Sequence, residues 1–184
     1  EFAMNVKPIL DLIARYESES SVLKQHVDSA YDVVVTQAFN INPPKTPIST
    51  MPISEVLQWQ SDSIKKYQQY FNSSKGYSAV GRYQIIRSTL ESLAKICWKA
   101  SSIFNANTQD ELATELLRRR GLDAWIKGKI SNDRFADSLS QEWASLPFNT
   151  GYSYYAGDSH GNRSLVTREE VLKTLHSIKT NNGA

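Results

Sequence analysis

Glu17 is the residue whose position most needs a chemical reason. On a wheel of 100° per residue, Ile9, Leu10, Ile13 and Glu17 share one apolar arc, with Ile9, Ile13 and Glu17 spaced i, i+4, i+8. Glu19 points away from that arc, where an acid is cheap. A carboxylate pressed against apolar surface loses hydration, so its pKa rises and it stays protonated near neutral pH. That is the state a general acid needs to protonate a glycosidic oxygen. The alternative is structural: an ion pair at a helix end, for instance with Arg82.

Two further segments carry groups suited to a sugar. SAVGRYQIIRSTL (78–90) sets a glycine and three polar side chains before an apolar run. Gly81 allows a close backbone approach or a positive φ, while Arg82, Tyr83 and Gln84 offer donors and a stacking face. It also reads as an ordinary loop-to-helix junction. WASLPFNTGYSYYAGDSHGN (143–162) gathers Trp143, Tyr152, Tyr154 and Tyr155 among Gly, Asn and Ser. Aromatic faces suit sugar C–H groups and phenol hydroxyls suit sugar hydroxyls. Trp143 sits on a helical stripe and is expected in the core, the tyrosines nearer the surface.

Other chemistries find little support. His26, His160 and His176 lie far apart, and none has zinc-ligand spacing with another acid or thiol, so no metal is expected. There is no G-x-S-x-G, phosphate loop or dinucleotide fingerprint, and no cofactor is expected. The run Arg118-Arg119-Arg120 ends a helix, where cations complement the dipole, and a net charge of +2 argues against a nucleic-acid partner. No run approaches the ~18 apolar residues of a membrane span. The single cysteine excludes an internal disulfide, and Cys97 continues a stripe through Ile86, Leu90, Leu93 and Ala94, as a core thiol would.

These groups need elements to position them. A first helix is predicted from Val6 to Glu17, with Pro8 in its first turn. YDVVVTQAF (31–39) is rich in β-branched and aromatic residues and predicts a strand. NINPPKTPISTMP (40–52) holds four prolines, which excludes a helix or central strand and leaves a flap over a groove or a connector. A second helix covers Ile53 to Phe71 with Val56, Leu57, Ile64, Tyr67 and Phe71 on its apolar side. A third starts near Tyr83 or Gln84 and runs to about Ala100. T-Q-D-E (108–111) reads as a capping box opening a helix that stops near Gly121, and T-R-E-E (167–170) opens the last helix. Residues 132–145 form another amphipathic helix through Phe135, Leu139 and Trp143.

With 184 residues and 40% hydrophobic content the chain can bury one good core. The expectation is one mainly α domain with a small β element. Residues 1–4 (EFAM) resemble a cloning scar, leaving 5–184 as the domain, and no secretory signal follows them.

The order of Glu17, Tyr31-Asp32-Val33, Gly81-Arg82-Tyr83-Gln84 and Trp143-Ala144-Ser145-Leu146-Pro147 resembles the phage lambda endolysin family, over roughly residues 9–155. Glu17-Ser18 followed by the Gln84 segment is also similar to the wider lytic transglycosylase and goose-type lysozyme superfamily. The resemblance implies a lysozyme-like α+β fold, mainly α, with a small sheet beside a glycan groove. It further implies cofactor-free cleavage of the MurNAc–GlcNAc β-1,4 bond of peptidoglycan glycan strands. Glu17 matches the family's catalytic acid, and Ser18 its neighbour in the superfamily pair. Tyr31, Arg82, Tyr83 and Gln84 fall in the matching blocks, and Tyr152, Tyr154 and Tyr155 in the loop of the far lip.

The chain departs from the lambda enzyme, which has glycine after the glutamate and is more compact between the Tyr-Asp and Gly-Arg-Tyr-Gln blocks. One carboxylate suffices for a lytic transglycosylase, whereas a hydrolytic muramidase would want a second. Asp32 is the candidate, unless it braces the Tyr31 turn. A non-catalytic glycan-binding virion module is the competing class. A phage enzyme of this kind would be made in the host cytoplasm without a signal peptide and act on periplasmic peptidoglycan. It would do so as an endolysin, or virion-borne beside other virion proteins, with no membrane partner.

Overall fold

The computed structural model describes residues 4–96 and 99–181. Cys97 and residues 1–3 of the expected cloning scar lie outside the described residues. The chain is mainly helical, as the lysozyme-like expectation requires. Among the described residues the helices are α1 Lys7–Glu17, α2 Thr36–Ile41, α3 Ile53–Phe71, α4 Arg87–Ile96, α5 Ala106–Arg119, α6 Leu122–Ile126, α7 Asn132–Glu142 and α8 Arg168–Asn181. The small β element is reduced there to isolated rungs, Val34–Val80, Val80–Ile85, Pro52–Ile103 and Pro147–Ser153. Two compact units divide the chain: Glu17–Leu112, and the residues up to Tyr16 together with those from Ala113 onward.

In the unit Glu17–Leu112, α3 packs against α2 and α4. It begins at Ile53 and ends at Phe71 as the sequence predicts, stopped by Asn72 in the left-handed region at φ 45°. Its buried face comprises Ile53, Val56, Trp59, Gln60 and Ser63, whereas Phe71, expected on the apolar side, is exposed. The predicted strand 31–39 is not formed. Ala30–Asp32 makes one 3-10 turn, only Val34 forms a rung, and Thr36 onward coils into α2. That helix takes the first two residues of the proline-rich segment, which otherwise runs irregularly apart from a 3-10 turn at Ile48–Thr50.

The third predicted helix starts late, at Arg87, because Gln84 is left-handed at φ 49° and cannot open a helix. Ser78 Oγ accepts the Arg87 N–H at 3.0 Å instead, capping the start of α4. Leu90 and Leu93 are buried as expected, but Ile86 precedes the helix and is exposed. The T-Q-D-E capping box is also corrected. Asn105 Oδ1 accepts the Thr108 N–H at 3.0 Å, so the helix opens before Thr108 and frees Gln109 and Asp110 for other bonds.

In the other unit α7 packs against α6 and α8. Trp125 is fully buried, stacked on Phe135 at 4.9 Å, and its indole N–H donates to Asn132 Oδ1 at 2.7 Å. Thr167 caps α8 as predicted, its Oγ1 accepting the Glu170 N–H at 3.2 Å. Glu170 also accepts from Tyr16 OH at 3.0 Å, which ties α8 to α1. The helix predicted over 132–145 closes at Glu142, and Trp143 follows it, buried as expected.

Candidate functional site

Val80 and Ile85 exchange both backbone hydrogen bonds, at 3.1 and 3.0 Å, so Gly81-Arg82-Tyr83-Gln84 is the four-residue tip of a one-rung hairpin. The tip needs unusual backbone. Gly81 sits at φ 77°, where its N–H donates to Val33 O at 2.7 Å. A Cβ there would lie 2.3 Å from Gln109 Oε1. Gln84 accepts its left-handed φ with its side chain folded back, Nε2 donating to Gly81 O at 2.8 Å.

Two buried glutamines hold this hairpin. Gln60 Nε2 donates to Ser78 O at 2.8 Å and to Ile85 O at 3.1 Å. Gln109 Nε2 donates to Tyr31 O at 3.0 Å and Phe104 O at 2.9 Å, while its Oε1 accepts the Arg82 N–H at 2.9 Å. Fixing one amide at three points leaves it little freedom to shift, which places the Tyr31 turn and the hairpin tip together.

Glu17 closes α1, half-buried. The next residue, Ser18, is fully buried, and its Oγ donates to Arg82 O at 2.7 Å. The two segments separated by 64 residues are therefore joined directly beside Glu17. Arg82 is held on its other side as well. Its Nη1 donates to Tyr83 OH at 2.7 Å, and its guanidinium carbon lies 5.4 Å and 5.3 Å from the centroids of the Tyr31 and Tyr83 rings, within cation–π range. Both phenols converge on one atom: Asp110 Oδ1 accepts from Tyr31 OH at 2.8 Å and Tyr83 OH at 2.6 Å. Burial first, and the Asp110 hydrogen bond second, push both phenol pKa values up, that of Tyr83 the further. Both tyrosines thus stay protonated donors at any physiological pH.

Asp32, the candidate second carboxylate, braces a turn: its Oδ1 accepts the Ser49 N–H at 2.9 Å. The 3-10 turn at Ile48–Thr50 is therefore tied to the segment that carries Tyr31.

Ser18, Tyr31, Arg82, Tyr83 and Gln84 thus form one connected cluster next to Glu17, within the unit Glu17–Leu112. Tyr152, Tyr154 and Tyr155 belong to the other unit and are exposed there. Tyr154 meets Phe148 and Tyr155 edge-on at 5.3 Å and 5.1 Å, and Tyr155 OH donates to Gln141 O at 2.5 Å. Gln60, Gln109 and Asp110 were missed from sequence. The i, i+1 pair Gln109-Asp110 carried no signal of its own, because the adjacent Thr and Glu made it look like part of a cap. Among the described residues no three His, Cys, Asp or Glu side chains group closely enough to hold a metal ion. No described helix is long and apolar enough to cross a membrane.

A family model described as Endolysin matches residues 7–167. No curated protein and no solved structure matches the chain.

Proposed function

The chain belongs to the endolysin family, phage lytic enzymes that act on the bacterial cell wall, and from that premise we propose that it cleaves the MurNAc–GlcNAc β-1,4 bond as a lytic transglycosylase with Glu17 as its one catalytic carboxyl. The observation that carries this reading is the 2.7 Å bond from Ser18 Oγ to Arg82 O. It fastens the chain one residue past Glu17 to the tip of the Gly81–Gln84 hairpin, a loop held in place by its own hydrogen bonds. A general acid gains from such fixing, since geometry within hydrogen-bond reach of the leaving oxygen is what the transfer requires.

In the proposed reaction the Glu17 carboxyl protonates the bridging oxygen as the bond to the MurNAc anomeric carbon breaks. Positive charge develops at that carbon. The carboxylate left behind then takes the proton of the same sugar's C6 hydroxyl, whose oxygen closes onto the anomeric carbon. The product is a 1,6-anhydro end, no water is consumed, and Glu17 returns to its acid form. Because the nucleophile belongs to the ring itself, proximity replaces a bound water and its base. General acid–base help of this type is worth ~10²–10⁴-fold.

A hydrolytic muramidase would need a second carboxylate to activate water or attack. Asp32 braces the Ile48–Thr50 turn through Ser49, a structural role that the single-carboxylate scheme leaves undisturbed. Digestion of purified sacculi followed by mass analysis of the muropeptides tests it. Anhydro ends are expected; products heavier by one water would reject the transglycosylase assignment in favour of hydrolysis. Binding to sacculi with no release of fragments would instead favour the non-catalytic glycan-binding module.

A further inference from the structure

We propose that Asp110 is a positioning residue for cleavage, acting through Tyr83, Tyr31 and Arg82 on the backbone that holds Ser18; the proposal rests on the assignment of Glu17 above. Arg82 is held at four points. Its C=O accepts from Ser18 at 2.7 Å, its N–H donates to Gln109 at 2.9 Å, its Nη1 donates to Tyr83 OH at 2.7 Å, and its guanidinium sits against two tyrosine rings. The last two restraints depend on where the rings stand. Both rings are fixed at their hydroxyls by the same carboxylate oxygen, Asp110 Oδ1.

The direction of donation makes this a chain with one sense. An ionised carboxylate can only accept, so Tyr83 must turn its hydrogen to Asp110 and offer its lone pairs to the Arg82 guanidinium. Guanidinium donates to phenol and phenol donates to carboxylate, so each bond polarises the next. A neutral amide in place of Asp110 would still accept, but bonds to a charged acceptor are about twice as strong as neutral ones. The rings, and with them Arg82, would then be less firmly placed. Asp110 need not touch substrate for this to matter, since a displacement of about 1 Å at reacting groups costs on the order of 10²-fold in rate.

The test is a double-mutant cycle on the full chain, with kcat and KM measured on soluble peptidoglycan strands. Asp110→Asn and Tyr83→Phe should each lower kcat about tenfold, with KM within about twofold of wild type. The double variant should be no slower than the slower single variant, because both changes break the same chain. Additive losses, or a change confined to KM, would overturn the positioning role. Tyr83→Phe removes only a hydroxyl, so it keeps the proposal testable should Asp110→Asn fold poorly.

The kcat-against-KM split separates positioning from a purely structural role, and ultraviolet titration of the phenols tests the link from Asp110 to the two tyrosines by itself. Below the alkaline unfolding transition two phenols should stay un-ionised in wild type and begin to ionise in Asp110→Asn, and an unchanged titration would refute the link. Should Glu17→Gln remain active, the assignment of the acid fails. The titration then still decides separately whether Asp110 governs the two tyrosines.

Discussion

Replacing Gly81 by alanine tests how the hairpin tip is held. At φ 77° a residue with a Cβ is in the left-handed region, at a cost of about 1–2 kcal/mol. The added carbon would sit 2.3 Å from Gln109 Oε1, 2.9 Å from Gln109 Cδ and 3.1 Å from Phe104 Cε1. Gln109 is buried and tied at three points, so it cannot swing aside as a free side chain would. Moving it breaks at least the bond to the Arg82 N–H, and a buried group left unpaired costs about 1–3 kcal/mol. The two contributions sum to about 2–5 kcal/mol. Urea unfolding followed by circular dichroism should show that loss as a lower midpoint at unchanged slope. Gly81→Ala/Gln109→Ala should not recover full stability, since the backbone strain remains after the clash is gone. A Gly81→Ala protein within about 0.5 kcal/mol of wild type would refute the close packing of tip and glutamine.

Other outcomes follow from the same bonds. Ser18→Ala removes the donor to Arg82 O and should lower both stability, by about 1–3 kcal/mol, and cleavage rate; an unchanged rate would separate Ser18 from the site. Asp32→Asn keeps an acceptor for the Ser49 N–H and should retain most activity on sacculi, whereas a hydrolase using Asp32 would be silenced. Because the folded pKa values of Tyr31 and Tyr83 are raised, their contribution to stability is full below pH ~10 and lost as pH rises toward the folded values. Alkaline denaturation curves should therefore steepen above pH ~10, and less so in Tyr83→Phe. Thr167→Ala should cost about 1 kcal/mol through loss of the α8 cap, read as a lower melting temperature with activity retained per folded molecule.

Long periodic elements were legible in the sequence because burial and period agree in them. The 19 residues of α3 and the start of α8 fall where apolar spacing and capping residues place them. The 31–39 segment misled because its β-branched residues do favour extended backbone, and Val33 is extended at φ −72°, ψ 137°. Its partner is only the short first arm of a hairpin, around Val80, so one rung forms before the chain coils into α2. Cross-strand partners, which decide strand length, are long-range and invisible in a local pattern.

The same reason hid half of the site. Gly81, Arg82, Tyr83 and Gln84 stood out as residue types, and their order relative to Glu17 carried the likeness to endolysins. The groups that hold them, Gln60, Gln109 and Asp110, are polar residues on buried or half-buried helix faces. Apart from Phe104, five residues before Gln109, their partners lie 18 to 79 residues away. A sequence reading counts such residues as solvent-facing and cannot see what satisfies them.

The most direct measurement is the rate at which Glu17→Gln releases muropeptides from purified sacculi, beside wild type. The glutamine is nearly isosteric and cannot donate the carboxyl proton, so release should fall by at least ~10²-fold with an unchanged circular dichroism spectrum and melting temperature. A folded Glu17→Gln protein that releases fragments at the wild-type rate would contradict the assignment of the acid and move the chemistry elsewhere.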